Sequence, residues 1–389
     1  MCDQYNLEEI APFDDAVFSE KMESLIREPG FEYAVKYAMP GIDYPEFCKM
    51  LKFIPDKETF QRKVMQPFLE SLEKKTTNGI TSSGIENLQN GVAYTFMSNH
   101  RDIVLDASFL NLSFVRAGRR TSEVAIGSNL LIFDWITDLV KLNKSFIVKR
   151  NIQRTKALEA AYQLSAYIHF AINKKKESVW IAQREGRAKD SNDITQESLI
   201  KMLALEGGET VVENIKSINI VPVSISYEFD PNDYLKAKEF LMKRLDPEFK
   251  KSQDDDLLSM QTGLLNPKGR VHFHVGKCIN NCFDNISENI SRAEAVKIAC
   301  QAIDKQIHLG YNIYPINYIA YDKVLKTDRF SNEYSSEQVK EIETYIESQL
   351  AKVNMPDIAA DDINYMREMM YTMYANPLIN KIQAEEGDK

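Results

Sequence analysis

The sequence predicts an α/β protein, built on a mostly parallel mixed sheet flanked by helices, with an N-terminal helical domain and C-terminal helices. Between residues 92 and 226, short apolar runs rich in β-branched and aromatic residues alternate with longer segments of helical periodicity. Such alternation is typical of parallel strands joined by helical crossovers. Outside this region the apolar positions recur at helical spacing, which predicts domains at 1–78, 79–280 and 281–389.

The first of these domains is helical. Its apolar positions recur at helical spacing in 18–26 and again in 60–72. Pro40-Gly41 and Pro55-Asp56 separate these segments, as expected of turns. No chemical motif occurs in this part of the chain, so its role cannot be deduced from the residues.

The central domain contains the alternating pattern. Its strands are predicted at 92–98, 123–126, 145–148, 178–182, 218–226 and 269–276. Its helices are predicted near 104–115, 128–142, 155–174 and 196–204. Further helices are predicted in the C-terminal part of the chain, at 295–307, 336–350 and 357–374.

Composition excludes several classes of function. The 389-residue chain has a net charge of −9, which argues against general nucleic-acid binding. No window approaches the ~20 apolar residues that span a bilayer, and the first residues lack the pattern of a signal peptide. The five cysteines are scattered without a zinc-binding pattern. We therefore expect free thiols in a reducing cytosol, with no metal and no cofactor.

One polar stretch stands at the junction of a predicted strand and a predicted helix, and it contains His100. Junctions of this kind are common places for active-site groups in α/β folds. A histidine can take a proton from a hydroxyl near neutral pH, and a carboxylate can fix its tautomer. Asp102 and Asp106 are both close enough in sequence to be that carboxylate.

Three later blocks complete a pattern with this one. In order, the four blocks read SNHRDIVLD at 98–106, GSNLL at 127–131 leading to SFIVKR at 145–150, VWIAQREGR at 179–187, and IVPVSISYE at 220–228. In this order and at these separations they resemble the glycerolipid acyltransferase family, which includes glycerol-3-phosphate and lysophosphatidate acyltransferases. The resemblance covers roughly residues 80 to 280.

The first block departs from the family pattern in its spacing. The family usually has four residues between its histidine and its aspartate, whereas five separate His100 from Asp106. Asp106 is the predicted partner because it is followed by a small, apolar helix start, as in the family. Asp102 remains the alternative.

The third block also departs in part. Gln183-Arg184 stand where the family has Phe-Pro, while Glu185, Gly186 and Arg187 match it. The resemblance implies His100 as catalytic base, and basic residues of the second and third blocks as ligands of a phosphate. Besides the catalytic pair, the predicted substrate-binding residues are Arg101, Lys149, Arg150, Glu185, Gly186, Arg187 and Pro222.

The resulting hypothesis is an enzyme that moves a fatty acyl chain from acyl-CoA or acyl carrier protein to a hydroxyl of glycerol-3-phosphate or lysophosphatidate. Two alternatives stay open: O-acylation of an amino-acid lipid, and a non-catalytic lipid- or carrier-binding protein. The segment 141–156 has six basic residues and no acidic one. It could receive an anionic membrane surface, the phosphates of coenzyme A, or an acidic carrier protein. A cytoplasmic protein, with peripheral contact to the inner membrane face left open, is expected.

Overall fold

The computed structural model describes residues 5–286, 290–356 and 358–387. Within them one sheet of seven strands carries the fold. The strands are β1 (Ile80–Ser83), β2 (Thr95–Ser98), β3 (Glu123–Gly127), β4 (Ser145–Val148), β5 (Val179–Ala182), β6 (Ile220–Tyr227) and β7 (Val271–Val275). The predicted α/β class with a mostly parallel mixed sheet is therefore confirmed.

Helices surround this sheet and extend beyond it at both ends of the chain. Before and within the first half of the sheet come α1 (Phe18–Leu25), α2 (Pro29–Ala38), α3 (Tyr44–Lys52), α4 (Lys57–Phe60), α5 (Gln66–Thr76), α6 (Leu105–Arg116), α7 (Asp134–Leu142) and α8 (Arg154–Phe170). The remainder are α9 (Glu197–Leu203), α10 (Val211–Ser217), α11 (Asp233–Leu245), α12 (Gln253–Leu265), α13 (Arg292–Leu309), α14 (Pro315–Leu325), α15 (Ser336–Leu350) and α16 (Ala360–Glu386).

The strand order is β1-β7-β6-β2-β5-β3-β4, and only the β6–β7 pair is antiparallel. Strand β2 lies between β5 and β6, and Ser98 at its end pairs with Ala182 on one side and Val223 on the other. The residues that follow β2 and β5 therefore leave the sheet at the same edge. In sheets of this type, that edge is where ligands bind.

Both faces of the sheet are covered by apolar side chains. On one face α8, α9, α10 and α13 supply residues such as Tyr167, Ile200, Ile215 and Ile303. On the other, α5 and α6 supply Leu69, Leu105 and Phe109. Helix α13 thus packs directly on the sheet, although it follows the predicted boundary at residue 280.

Two further apolar clusters lie beside the sheet. The first contains residues of the four helices α1, α2, α3 and α4 together with Leu142 of α7. The N-terminal helices therefore pack against the central domain through α7. The second joins α11 to α14, α15 and α16. Along the parts of the chain that the structure describes, no helix is both long enough and apolar enough to cross a membrane.

The structure differs from the predicted elements in several places. The helix predicted over 128–142 is a short 3-10 turn, Ser128–Leu130, followed by α7. The acidic run at 252–256, for which no helix was predicted, begins α12, because the Ser252 hydroxyl and the Asp255 carboxylate cap each other's backbone N–H groups. Asp357, where the last helix was predicted to begin, is outside the described residues, and α16 begins at Ala360.

Candidate active site

The histidine loop begins where β2 ends, and a side chain fixes it to the sheet edge. Asn99 is fully buried and donates from Nδ2 to the carbonyl of Ile225 at 2.9 Å. Its Oδ1 accepts the backbone N–H of Ile225 at 2.8 Å. The amide therefore continues the pairing with β6 by one residue, and the chain turns away only at His100.

His100 contacts a buried carboxylate. Its Nδ1 lies 2.8 Å from Oδ2 of Asp106, which is 1% exposed in the first turn of α6. The same oxygen accepts the backbone N–H groups of Arg101 and Asp102 at 2.7 and 3.1 Å. Three donors hold the carboxylate, so its position relative to the imidazole is fixed. Because Nδ1 is engaged, Nε2 is the nitrogen left to accept a proton.

Asp102, the alternative partner, has a different position. Its Oδ1 accepts the backbone N–H groups of Val104 and Leu105 at 2.9 and 2.8 Å, and its Oδ2 accepts Nδ2 of Asn232 at 3.2 Å. Burial, together with the carboxylate of Asp106, raises the pKa of Asp102. Asp102 therefore forms the turn that leads into α6. This turn accommodates the fifth residue between His100 and Asp106, where the family that the sequence resembles has four.

A cavity of about 1390 Å³ opens in front of His100. It is larger than the ~300–1,000 Å³ of common small-molecule sites. Its walls are formed by the N-terminal helices, by α6, α7 and α8, and by α12. The apolar part of the lining includes Ala34, Leu69, Ala107, Leu112, Ile126, Leu130, Ile136, Leu139, Val148, Ala161 and Met260. Apolar groups of a ligand that bound against such a surface would be removed from water.

Arg187 brings a buried positive charge to this cavity. The residue is 5% exposed and lines the cavity, and its Nη1 has no hydrogen-bond partner within the described residues. A buried guanidinium nitrogen without an acceptor is costly unless a ligand supplies one. Gly186 precedes it at φ +66°, a left-handed conformation that favours glycine and turns the chain into the cavity.

The other predicted cations lie at the same cavity but are already paired. Lys149 Nζ lies 2.6 Å from Oε1 of Glu9, and Arg150 Nη1 lies 3.0 Å from Oε1 of Glu185. Both side chains are about one-third exposed, at 31% and 33%. Glu185 therefore orients Arg150, a contact that the sequence did not predict.

Three basic residues at the cavity were missed in the sequence: Arg184, Lys189 and Lys251. Burial, with Arg187 and Lys251 nearby, lowers the pKa of Lys189 to about 7. Oε2 of Glu239 lies 3.0 Å from Nζ of Lys189 and 3.3 Å from Nζ of Lys251. A basic residue two positions after Arg187 was the available signal for Lys189, whereas nothing in the sequence connects Lys251 to the site.

Two residues predicted to bind substrate do not line the cavity. Arg101 is 4% exposed, and its guanidinium holds the Asp193 carboxylate with two contacts of 2.9 and 2.5 Å. Pro222 lies within β6, where it pairs with Met97 and its carbonyl accepts the N–H of Gly276 at 2.9 Å. The interpretation of both as substrate ligands is replaced by structural roles, in the histidine loop and in the sheet.

No protein-family model matches this sequence, and no curated protein matches it significantly. Among solved structures, the crystal structure of the 1-acyl-sn-glycerophosphate (LPA) acyltransferase PlsC from Thermotoga maritima is similar to this chain, with a TM-score of 0.36 and 12% sequence identity. The similarity covers 75% of this chain and 95% of that one. This similarity is too distant to assign a function to the chain.

Proposed function

We propose that this protein transfers an acyl group from a thioester donor to a hydroxyl of a small phosphorylated acceptor, of the glycerol-3-phosphate or lysophosphatidate type. One observation carries the proposal. His100, which a buried carboxylate orients, lines a largely apolar cavity. Arg187 lines the same cavity, and its buried Nη1 has no hydrogen-bond partner within the described residues. The first provides a base, the second an anion ligand, and the apolar walls provide room for a fatty chain.

The reaction follows from these positions. Nε2 of His100 takes the proton of the acceptor hydroxyl while the oxygen attacks the thioester carbonyl carbon. Asp106 stabilises the imidazolium that forms, as the carboxylate does in a catalytic triad. When the tetrahedral intermediate collapses, the C–S bond breaks and the leaving thiolate takes the proton from the imidazolium. The products are an ester and a free thiol, and no acyl-enzyme is needed.

The acceptor's phosphate would bind at the cations of the cavity. Arg187 suits this role because a guanidinium can hold a phosphate with two parallel hydrogen bonds. Lys189 and Lys251 add positive charge nearby, although both are also within reach of Glu239. The donor is acyl-CoA or acyl carrier protein, and no cofactor takes part.

The two alternative functions differ in what they require of the site. An amino-acid lipid as acceptor would use His100 without a phosphate ligand, and Arg187 would then bind the carboxylate of the amino-acid headgroup. A non-catalytic binding protein was suggested by the unusual spacing of the first block. The 2.8 Å contact between His100 and Asp106 supports catalysis instead. The turn formed by the Asp102 carboxylate brings the two side chains together even though five residues separate them.

The test is an assay of the purified protein with radiolabelled acyl-CoA and with acyl carrier protein, against a panel of acceptors. Glycerol-3-phosphate, lysophosphatidate, glycerol and an amino-acid lipid form the panel, and His100→Ala serves as the control variant. The proposal expects labelled ester with a phosphorylated acceptor and none with His100→Ala. Transfer only to the amino-acid lipid, or no transfer to any acceptor, would overturn it.

A further inference from the structure

The carboxylate of Asp106 uses only one of its two oxygens in the histidine loop. Its Oδ2 accepts the backbone N–H groups of Arg101 and Asp102 and contacts Nδ1 of His100. Its Oδ1 is buried and has no hydrogen-bond partner within the described residues. A carboxylate oxygen that is removed from water without a donor is costly, so a donor for Oδ1 is expected close by.

Tyr227, the last residue of β6, is the donor that the fold brings to this position. Strands β2 and β6 are parallel, and Asn99 extends their pairing as far as Ile225. The histidine loop therefore runs alongside the last residues of β6. Tyr227 is 7% exposed and belongs to the same apolar cluster as Leu105, the residue before Asp106. Its hydroxyl is buried and, like Oδ1, has no hydrogen-bond partner in the part of the chain that the structure describes.

The charges around the phenol point to the same pair. Burial raises the pKa of Tyr227 well above its ordinary value, and the carboxylates of Asp106 and Asp102 raise it further, the first also as a hydrogen-bond partner. The phenol is therefore protonated at neutral pH and can donate. Asp102 already accepts hydrogen bonds at both of its oxygens, and Asp230 forms an ion pair with Lys236. Among these three carboxylates, Asp106 is the one with an oxygen left to accept.

We propose that Tyr227 is a positioning residue for the reaction, whose hydroxyl donates to Oδ1 of Asp106 and keeps this carboxylate directed at His100 while the imidazolium forms. The inference rests on the proposed function, because it names a residue that acts on the same base. Hydrogen bonds among catalytic groups are often long without substrate and shorten in the complex. A donor at Oδ1, together with those at Oδ2, prevents the carboxylate from rotating. Tyr227 does not line the cavity, so it acts through Asp106 and not on the substrate.

The first test is a double-mutant cycle on kcat, with Tyr227→Phe, Asp106→Ala and the variant that carries both. Tyr227→Phe keeps the ring and removes only the hydroxyl. We expect it to lower kcat about tenfold and to leave both Michaelis constants within about twofold of the wild-type values, since it touches neither substrate. In the Asp106→Ala background the same substitution should change kcat by less than about twofold, because the carboxylate on which the hydroxyl acts is gone.

Tyr167→Phe is the matched control. Tyr167 is 1% exposed, and its hydroxyl donates to the carboxylate of Glu123. Neither residue lines the cavity, so the control removes the same kind of buried contact away from the site. Its kcat should stay within about twofold of the wild-type value. A loss of kcat as large as in Tyr227→Phe would overturn the proposal, because it would show a general effect of destabilisation.

A second cycle, on stability, needs no turnover. In urea denaturation the variant with both substitutions should lose less free energy of unfolding than the sum of the single variants, because one interaction is removed in both. The proposal is overturned by a wild-type kcat in Tyr227→Phe, by an equal loss of kcat in both backgrounds, or by additive losses of stability. A wild-type protein that transfers no acyl group, but in which the two residues are still coupled in stability, would refute the proposed function alone.

Discussion

The Nδ1 atom of His100 lies 2.8 Å from Oδ2 of Asp106. Five residues separate the two in this sequence, whereas the family that it resembles usually has four. The contact survives because the chain makes a turn at Asp102 before α6 begins. In that turn the Asp102 carboxylate takes the place of a backbone acceptor for Val104 and Leu105. The spacing of the motif is therefore less important than where the carboxylate lies in the first turn of the helix.

This geometry predicts opposite outcomes for the two aspartates. Asp106→Asn should lower kcat by about 10³–10⁴-fold, because the amide cannot hold the imidazole in the required tautomer or stabilise its charged form. The Michaelis constant for the acceptor should change little. Asp102→Asn keeps an oxygen that can accept the two N–H groups, and it should retain most of the activity. Steady-state kinetics of both variants decide this, and a greater loss for Asp102→Asn would show that the partner was assigned wrongly.

A second prediction concerns Arg101, whose guanidinium is held by Asp193 inside the protein. The Tyr311 hydroxyl donates to the same carboxylate at 2.5 Å. Arg101→Leu leaves the buried Asp193 carboxylate without its positively charged partner, and it should lower the free energy of unfolding by about 3–5 kcal/mol. Urea denaturation measures this value.

The double variant Arg101→Leu/Asp193→Leu serves as the control. It should lose less than the sum of the two single variants, because one interaction is removed in both. If Arg101→Leu were instead fully stable but raised the Michaelis constant for the acceptor, Arg101 would be a substrate ligand after all.

The pKa of Lys189 gives a prediction of pH dependence. Burial lowers this pKa to about 7, so the amine is charged below that pH and becomes neutral above it. If the ammonium attracts the acceptor's phosphate, the Michaelis constant for the acceptor should rise between pH 6 and pH 8. In Lys189→Arg the charge is permanent, and the rise due to this group should disappear. An identical pH profile in both proteins would remove Lys189 from the acceptor site.

The sequence was sufficient to predict six of the seven strands, because strand and helix periodicities alternate clearly between β2 and β6. Strand β1 was missed, because three of its four residues are polar. The sequence also predicted which residues leave the sheet at one edge, since parallel strands end together. Helices α11 and α12 were missed, because the residues that they bury are largely polar or small, such as Asp233, Lys236 and Glu239 in α11 and Ser259, Thr262 and Gly263 in α12. The N-terminal domain had no readable role, because its contribution to the cavity through α2 depends on packing against α7.

The predicted site was incomplete for a related reason. Spacing in the sequence indicates which residues lie at a strand end. It does not show whether a charged side chain there already forms an ion pair within the protein. Arg101 and Arg187 look alike in sequence, as basic residues just after a strand. In the structure Asp193 binds the first, while the second has a nitrogen without a partner.

The central claim is that Arg187 holds the phosphate of the acceptor while His100 activates its hydroxyl. The most direct test is the Michaelis constant for glycerol-3-phosphate or lysophosphatidate in Arg187→Met, measured at saturating acyl donor. We expect it to rise about ten- to a hundredfold, as the loss of ~1.5–3 kcal/mol from a charge-assisted contact implies. The Michaelis constant for the donor should stay within about threefold of the wild-type value. A wild-type protein that prefers an acceptor without phosphate, and whose Michaelis constant for that acceptor is unchanged in Arg187→Met, would contradict the claim.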